Sequence, residues 1–94
     1  MAGSTKSQPL DKRQTDDPQK VFGDIIRERR MAKDLSQREF TALTDLERST
    51  IAYIELGKRK PSLDTIIELA RALDTLPSEL MLEMERRLGL RHRL

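Results

Sequence analysis

From residue 20 onward apolar residues recur at spacings of three and four, broken at intervals by Asp, Gly, Pro and Ser. That rhythm predicts five helices. The first runs from about Val21 to Lys33, with Phe22, Ile25 and Ile26 on one face and Arg29 and Arg30 near the same spacing. Asp34 and Leu35 break it. Ser36 followed by Glu39 is a capping-box pattern that opens a second helix reaching about Leu43. Thr44-Asp45-Leu46 reads as a short turn, because Asp tolerates left-handed backbone better than most residues. The third helix covers about Arg48 to Leu56 with Ile51 and Ile54 inward, and Gly57 suits a left-handed C-cap. Lys58, Arg59, Lys60 and Pro61 form a basic loop. Ser62 caps a fourth helix that carries Ile66, Leu69, Ala70 and Leu73 on one stripe. Pro77 suits the first turn of a fifth, with Leu80, Met84 and Leu88 along one face. No strict alternation competes, so the expected fold class is all-α, a compact five-helix bundle.

Composition then divides the 94 residues. Residues 1–19 hold only Met1, Ala2 and Leu10 as apolar residues besides two prolines, too little to offset chain entropy, so a disordered N-terminal arm is expected there. Residues 20–88 form the domain and residues 89–94 a short basic tail. The chain has no cysteine and one histidine, His92, which leaves no disulfide framework, thiolate zinc site or His-based triad. No apolar run approaches the roughly 20 residues of a membrane span, and the N-terminus lacks the apolar core of a signal peptide. The expectation is a cytoplasmic binding module with no enzymatic activity, metal, cofactor or small-molecule ligand.

Two short helices joined by a three-residue turn, at about residues 36–56, describe a helix-turn-helix. The run from Phe22 to Leu80 resembles the phage-repressor and Cro-like regulators of bacteria and phages, the XRE family. The resemblance rests on FGDIIRERRMAKDLSQREF, ERSTIAYIELGKRKPSLDTIIELARAL and PSEL. Its most specific pieces are Leu35-Ser36-Gln37, Ser49-Thr50-Ile51, Ile54-Glu55-x-Gly57-Lys58-Arg59 and Pro61-Ser62-Leu63. It implies a five-helix DNA-binding domain whose third helix enters the major groove, where each base pair displays a distinct donor and acceptor pattern.

On that reading Glu47, Arg48, Ser49, Ala52 and Tyr53 face the bases. Arg48 suits a bidentate pair with guanine, Ser49 is ambivalent, and Ala52 suits a thymine methyl. Tyr53 could stack, donate to a base, reach a phosphate or pack at the core edge. Phosphates would be met by Ser36, Gln37 and Arg38 at the second helix, whose free N–H groups attract anions, and by Lys58, Arg59 and Lys60. Gln37 matches a family position that commonly touches phosphate. Arg30 and Glu55 match a family pair that forms a partly buried salt bridge between the first and third helices. Lys6, Lys12 and Arg13 of the arm could also grip DNA, although three acids balance them.

The chain departs from the family pattern in several places. Asp34, Asp45 and Asp74 stand where glycine usually ends a helix, so left-handed turns of lower stability are expected. Thr41 and Thr44 replace apolar residues, and their hydroxyls need partners if buried. Glu47 replaces the usual Ser or Thr cap, which suits the helix dipole but sets a negative charge near phosphates.

A module this small reads few base pairs, so a homodimer on a pseudo-palindromic operator is expected. Leu76, Leu80, Met81, Met84, Leu88 and Leu90 are the candidate pairing surface, being more long apolar side chains than a lone domain normally exposes at one end. The expected function is sequence-specific binding of double-stranded DNA as a transcriptional repressor. Phage repressors, restriction–modification controllers and antitoxins share the module. The alternative is an antitoxin or adaptor that mainly masks a protein partner such as a toxin. The formal charge of +2 conceals segregation: net +3 over residues 20–60, −5 over 61–85 and +4 over 86–94.

Overall fold

Asp17 decides where the first helix begins. In the computed structural model, which describes residues 17–90, its carboxylate accepts from the backbone N–H of Gln19 at 3.1 Å, and Pro18 takes the first helical position. α1 therefore spans Pro18–Ala32 and starts ahead of Val21, where apolar periodicity alone begins. The cap needs no apolar residue, so periodicity does not reveal it. Residues 1–16, most of the expected arm with Lys6, Lys12 and Arg13, lie outside the described residues, as do 91–94 with His92.

α2 spans Gln37–Thr41, α3 Arg48–Glu55, α4 Leu63–Ala72 and α5 Pro77–Leu88, with no strand among the described residues. α2 opens with the expected capping box: Ser36 Oγ accepts from Glu39 N at 3.0 Å, and Glu39 Oε1 accepts from Ser36 N at 2.8 Å. It ends two residues short of Leu43 because its threonines take backbone acceptors for themselves. Thr41 Oγ1 donates to Gln37 O at 2.7 Å, and Thr44 Oγ1 donates to Thr41 O at 2.9 Å. The hydroxyls thereby find the partners that burial demands. The chain leaves α2 through two tight turns, Leu43 N to Phe40 O and Thr44 N to Thr41 O. Asp45 consequently needs no left-handed backbone, unlike the expectation for that position. Asp34 and Asp74 do adopt it, at φ 58° and 57°, and Gly57 does so at 74°.

The core is the meeting of all five stripes: Phe22, Ile25 and Ile26 from α1, Phe40 from α2, Ile51 and Ile54 from α3, Leu69 and Ala70 from α4, and Leu80 from α5. Leu73, just past α4, completes it. α1 is the central element, packed on both α3 and α5. Its contact with α3 is backbone to backbone. A methyl group on Gly23 would overlap the carbonyl oxygen of Ile54 and sit 2.8 Å from that of Glu55.

α5 is clamped to α1 by charge as well. Arg87 donates to Glu28 at 2.7 Å and to Glu83 at 3.1 Å, and Arg29 reaches Thr75 Oγ1 at 3.3 Å. The Arg87 hydrogen bond holds the Glu28 carboxyl below its ordinary value. Leu80, read from the sequence as part of a pairing surface, has no exposed surface at all. It is the residue by which α5 closes this chain's own core, so it is unavailable to a second copy. Met84 and Leu88 also pack against that core, whereas Leu76, Met81 and Leu90 are exposed.

Candidate nucleic-acid interface

α3 is amphipathic across its eight residues. Ile51, Ile54 and Glu55 face inward, while Arg48 and Ser49 are exposed, Tyr53 is half exposed and Ala52 is half-buried. Spacings of three and four set Ser49, Ala52 and Tyr53 on one face, with Arg48 one turn before Ala52. The outward set is the one the sequence singles out. Glu47 is the exposed N-cap residue, and its side chain makes no capping hydrogen bond. The orphan N–H groups of the first turn of α3 thus receive nothing from it.

The turn after α3 depends on Gly57. Its N–H bonds to Ile54 O, the next N–H, of Lys58, bonds to Tyr53 O at 2.8 Å, and its positive φ reverses the chain. A side chain there would press on the Lys20 backbone at 2.9 Å, and Gln19 Nε2 donates to Gly57 O at 3.2 Å. The first turn of α1 therefore fixes the loop that carries Lys58, Arg59 and Lys60, all exposed.

The cations differ in whether the fold supplies them with a partner. Among the described residues, Lys20, Arg29, Arg30, Arg71, Arg86 and Arg87 each have a carboxylate within 4.0 Å. Arg38, Arg48, Lys58, Arg59 and Lys60, all on α2, α3 and the loop that follows, have none among the described residues, and outside those elements the same holds only for Arg27 and Lys33, on and just after α1. A cluster of cations with no internal partner attracts a polyanion.

Beneath this surface lies the Arg30–Glu55 pair, with Glu55 nearly fully buried. Arg30 Nε donates to Oε2 at 2.7 Å and Nη2 to Oε1 at 3.0 Å, a bidentate fork, and Nη1 donates to Leu35 O at 2.7 Å. Gln37 Nε2 adds a third hydrogen bond to Glu55, at 3.0 Å to Oε1. Ser36 is spent on its capping box, though its hydroxyl hydrogen stays free to donate, and Arg38 is exposed beside it.

The same geometry has relatives. The family described as Helix-turn-helix matches residues 26–80, more than half of the chain. The chain belongs to the XRE-type helix-turn-helix family. It is thus a DNA-binding transcriptional regulator of that family. Control protein C.MunI of Mycoplasma sp is 38% identical over 66 residues, covering 69% of this chain and 89% of its own length. Control protein C.BamHI of Bacillus amyloliquefaciens is 37% identical over 62 residues, covering 65% and 76%. The crystal structure of the restriction-modification controller protein C.AhdI from Aeromonas hydrophila superposes with a TM-score of 0.63 at 46% identity, over 65% of this chain and 92% of that one. An uncharacterized HTH-type transcriptional regulator, y4dL, of Sinorhizobium fredii is 43% identical over 49 residues, and the chain spans only 25% of its length. No helix among the described residues is long and apolar enough to cross a membrane.

Two features escaped the sequence reading. The first is the Gln37–Glu55 bond, which joins a residue read as a phosphate ligand to one read as structural. The second is a pair of exposed apolar residues on α4, Leu63 and Ile67, set off the stripe that enters the core. Their i, i+4 spacing is the signal that could have found them. Ile67 lines a depression of about 410 Å³ with Leu76, Pro77 and Arg71 at the α4–α5 turn.

Proposed function

We propose that this regulator acts in the cytoplasm as a homodimer on a pseudo-palindromic operator, with α3 in the major groove, and represses genes of a restriction–modification system. The observation that carries the reading is that all five cations on α2, α3 and the following loop lack a carboxylate partner among the described residues, whereas six of the eight elsewhere have one. Arg48 pairs with guanine; Ser49, Ala52 and Tyr53 contact neighbouring bases; Glu47 disfavours wrong registers by repulsion. Gln37, Arg38, Lys58, Arg59 and Lys60, with the Ser36 hydroxyl, meet phosphates and set the register. The likeness to control proteins, one of them a restriction-modification controller protein, supports the restriction–modification assignment.

The pairing surface is centred on the exposed Ile67 and Leu76 at the α4–α5 turn, with Leu63 one turn before Ile67 on α4 and Met81 and Leu90 exposed on and just after α5. A monomer has no other use for so many long apolar side chains in water. Selection of bound sequences from random duplex DNA tests the whole reading, and an inverted repeat with half-sites about one helical turn apart is expected. A profile without dyad symmetry, with sedimentation showing only monomer on DNA, refutes the dimer. An unenriched pool refutes the operator itself.

A further inference from the structure

Gln37 stands where the surface meets the core. Its amide nitrogen lies 3.0 Å from Glu55 Oε1, and that carboxylate also takes two hydrogen bonds from Arg30. A carboxylate only accepts, so Glu55 dictates which end of the Gln37 amide turns inward: the nitrogen, with one of its two hydrogens spent and one left. A primary amide on the surface of α2 would otherwise rotate freely and present oxygen or nitrogen with little preference. An anion is bound only by the nitrogen. Arg30 reinforces the arrangement from the other side, since its Nη1 holds the carbonyl of Leu35, two residues before Gln37. One buried carboxylate at the end of α3 therefore fixes both the start of α2 and the orientation of its outward amide.

We propose that Glu55 is a positioning residue of the DNA-contacting surface, holding the Gln37 amide in the orientation that meets a phosphate. The inference rests on the DNA-binding reading above and adds to it a residue that never touches DNA. The Arg30–Glu55 pair then has two duties, one in stability and one in affinity, and Gln37 links them.

The test is a double-mutant cycle read on DNA. The full chain binds a mixed-sequence duplex of about 30 base pairs at low salt, where phosphate contacts supply essentially all of the affinity. Gln37→Leu removes the amide and leaves the ion pair. Glu55→Gln in an Arg30→Met background removes the carboxylate and strands no charge, because both members of the pair become neutral. Circular dichroism confirms that each variant is folded at the assay temperature. Each change is expected to weaken binding about fivefold, the worth of one hydrogen bond of about 1 kcal/mol. Neither should change the salt slope, because a neutral amide displaces no counterion. The triple variant is expected to bind no worse than Gln37→Leu alone. Losses that multiply overturn the proposal, as does a Gln37→Leu variant that binds like wild type. Should the Arg30→Met, Glu55→Gln chain not fold, nitrogen-15 relaxation of the wild-type Gln37 side-chain amide decides the point: an amide as rigid as the α2 backbone supports the proposal, and a freely moving one overturns it. Failure of the wild-type chain to bind the duplex overturns the DNA-binding reading itself, a distinct result.

Discussion

Gly23→Ala sets two opposed effects against each other at one position. In the interior of a helix alanine is favoured over glycine by about 0.8–1.0 kcal/mol, so propensity alone expects a more stable protein. Packing expects the reverse. The added methyl would overlap the carbonyl oxygen of Ile54, sit 2.8 Å from that of Glu55 and lie 3.0 Å from the Glu55 carbonyl carbon. All three obstacles are backbone, so no side-chain rotation relieves them. α1 must instead move off α3, loosening the contact of Phe22, Ile25 and Ile26 with Ile51 and Ile54. Overpacking of a close-packed interior costs about 1–3 kcal/mol, and an obstacle made of backbone belongs at the upper end. Subtracting the propensity gain leaves a net loss of about 1–2 kcal/mol. In a domain of this size each 1 kcal/mol shifts Tm by about 4–8 °C, so a fall of about 5–15 °C is expected in far-ultraviolet circular dichroism melts. A Tm equal to or above wild type would show that α1 and α3 are not in backbone contact, and the placement of α3 argued above would fall with it.

The remaining expectations concern charge. Arg48→Ala should cost about 1–3 kcal/mol on the selected operator and relax preference at one base position, whereas Lys58→Ala should weaken all sequences alike; titrations against operator and mixed duplex separate the two. Glu55→Ala strands the buried Arg30 guanidinium and should destabilise the fold by about 3–5 kcal/mol in urea unfolding, while Arg30→Met with Glu55→Gln should recover much of that loss. Glu28 carries the acid response of the α1–α5 contact. Its folded value is lowered, chiefly by the hydrogen bond from Arg87. The stability it contributes is complete above the ordinary glutamate value of about 4.3 and is lost as pH falls through the lower folded one. Melts of Glu28→Gln should therefore lie below wild type at neutral pH and converge with it in acid; parallel curves would exclude the coupling.

The five helices were legible because each signal is local. Apolar spacing marks α1 and α4, a capping box opens α2, and Pro77 and Gly57 punctuate the chain through their own backbone preferences. The outward set Arg48, Ser49, Ala52 and Tyr53 was legible for the same reason, since one inward stripe of Ile51 and Ile54 fixes the opposite face. Less accessible was anything that depends on two segments meeting. Asp45 looks like Asp34 and Asp74 in sequence, yet only those two are left-handed, because Thr41 and Thr44 let the chain turn earlier.

Period, caps and residue type set the number of helices, the face each turns inward and the chemistry available on α3 before any long-range contact forms. Which charges are free and which are spent follows from packing. Arg30, Arg48 and Arg87 are the same side chain, and only their distances to Glu55, Glu83 and Glu28 separate a core pair and a helix clamp from a cation with no carboxylate partner among the described residues. Leu80 and Leu76 likewise differ only in what covers them. Burial and pairing are relations between distant parts of the chain, and they exist only once α1 has brought α3 and α5 against its two sides.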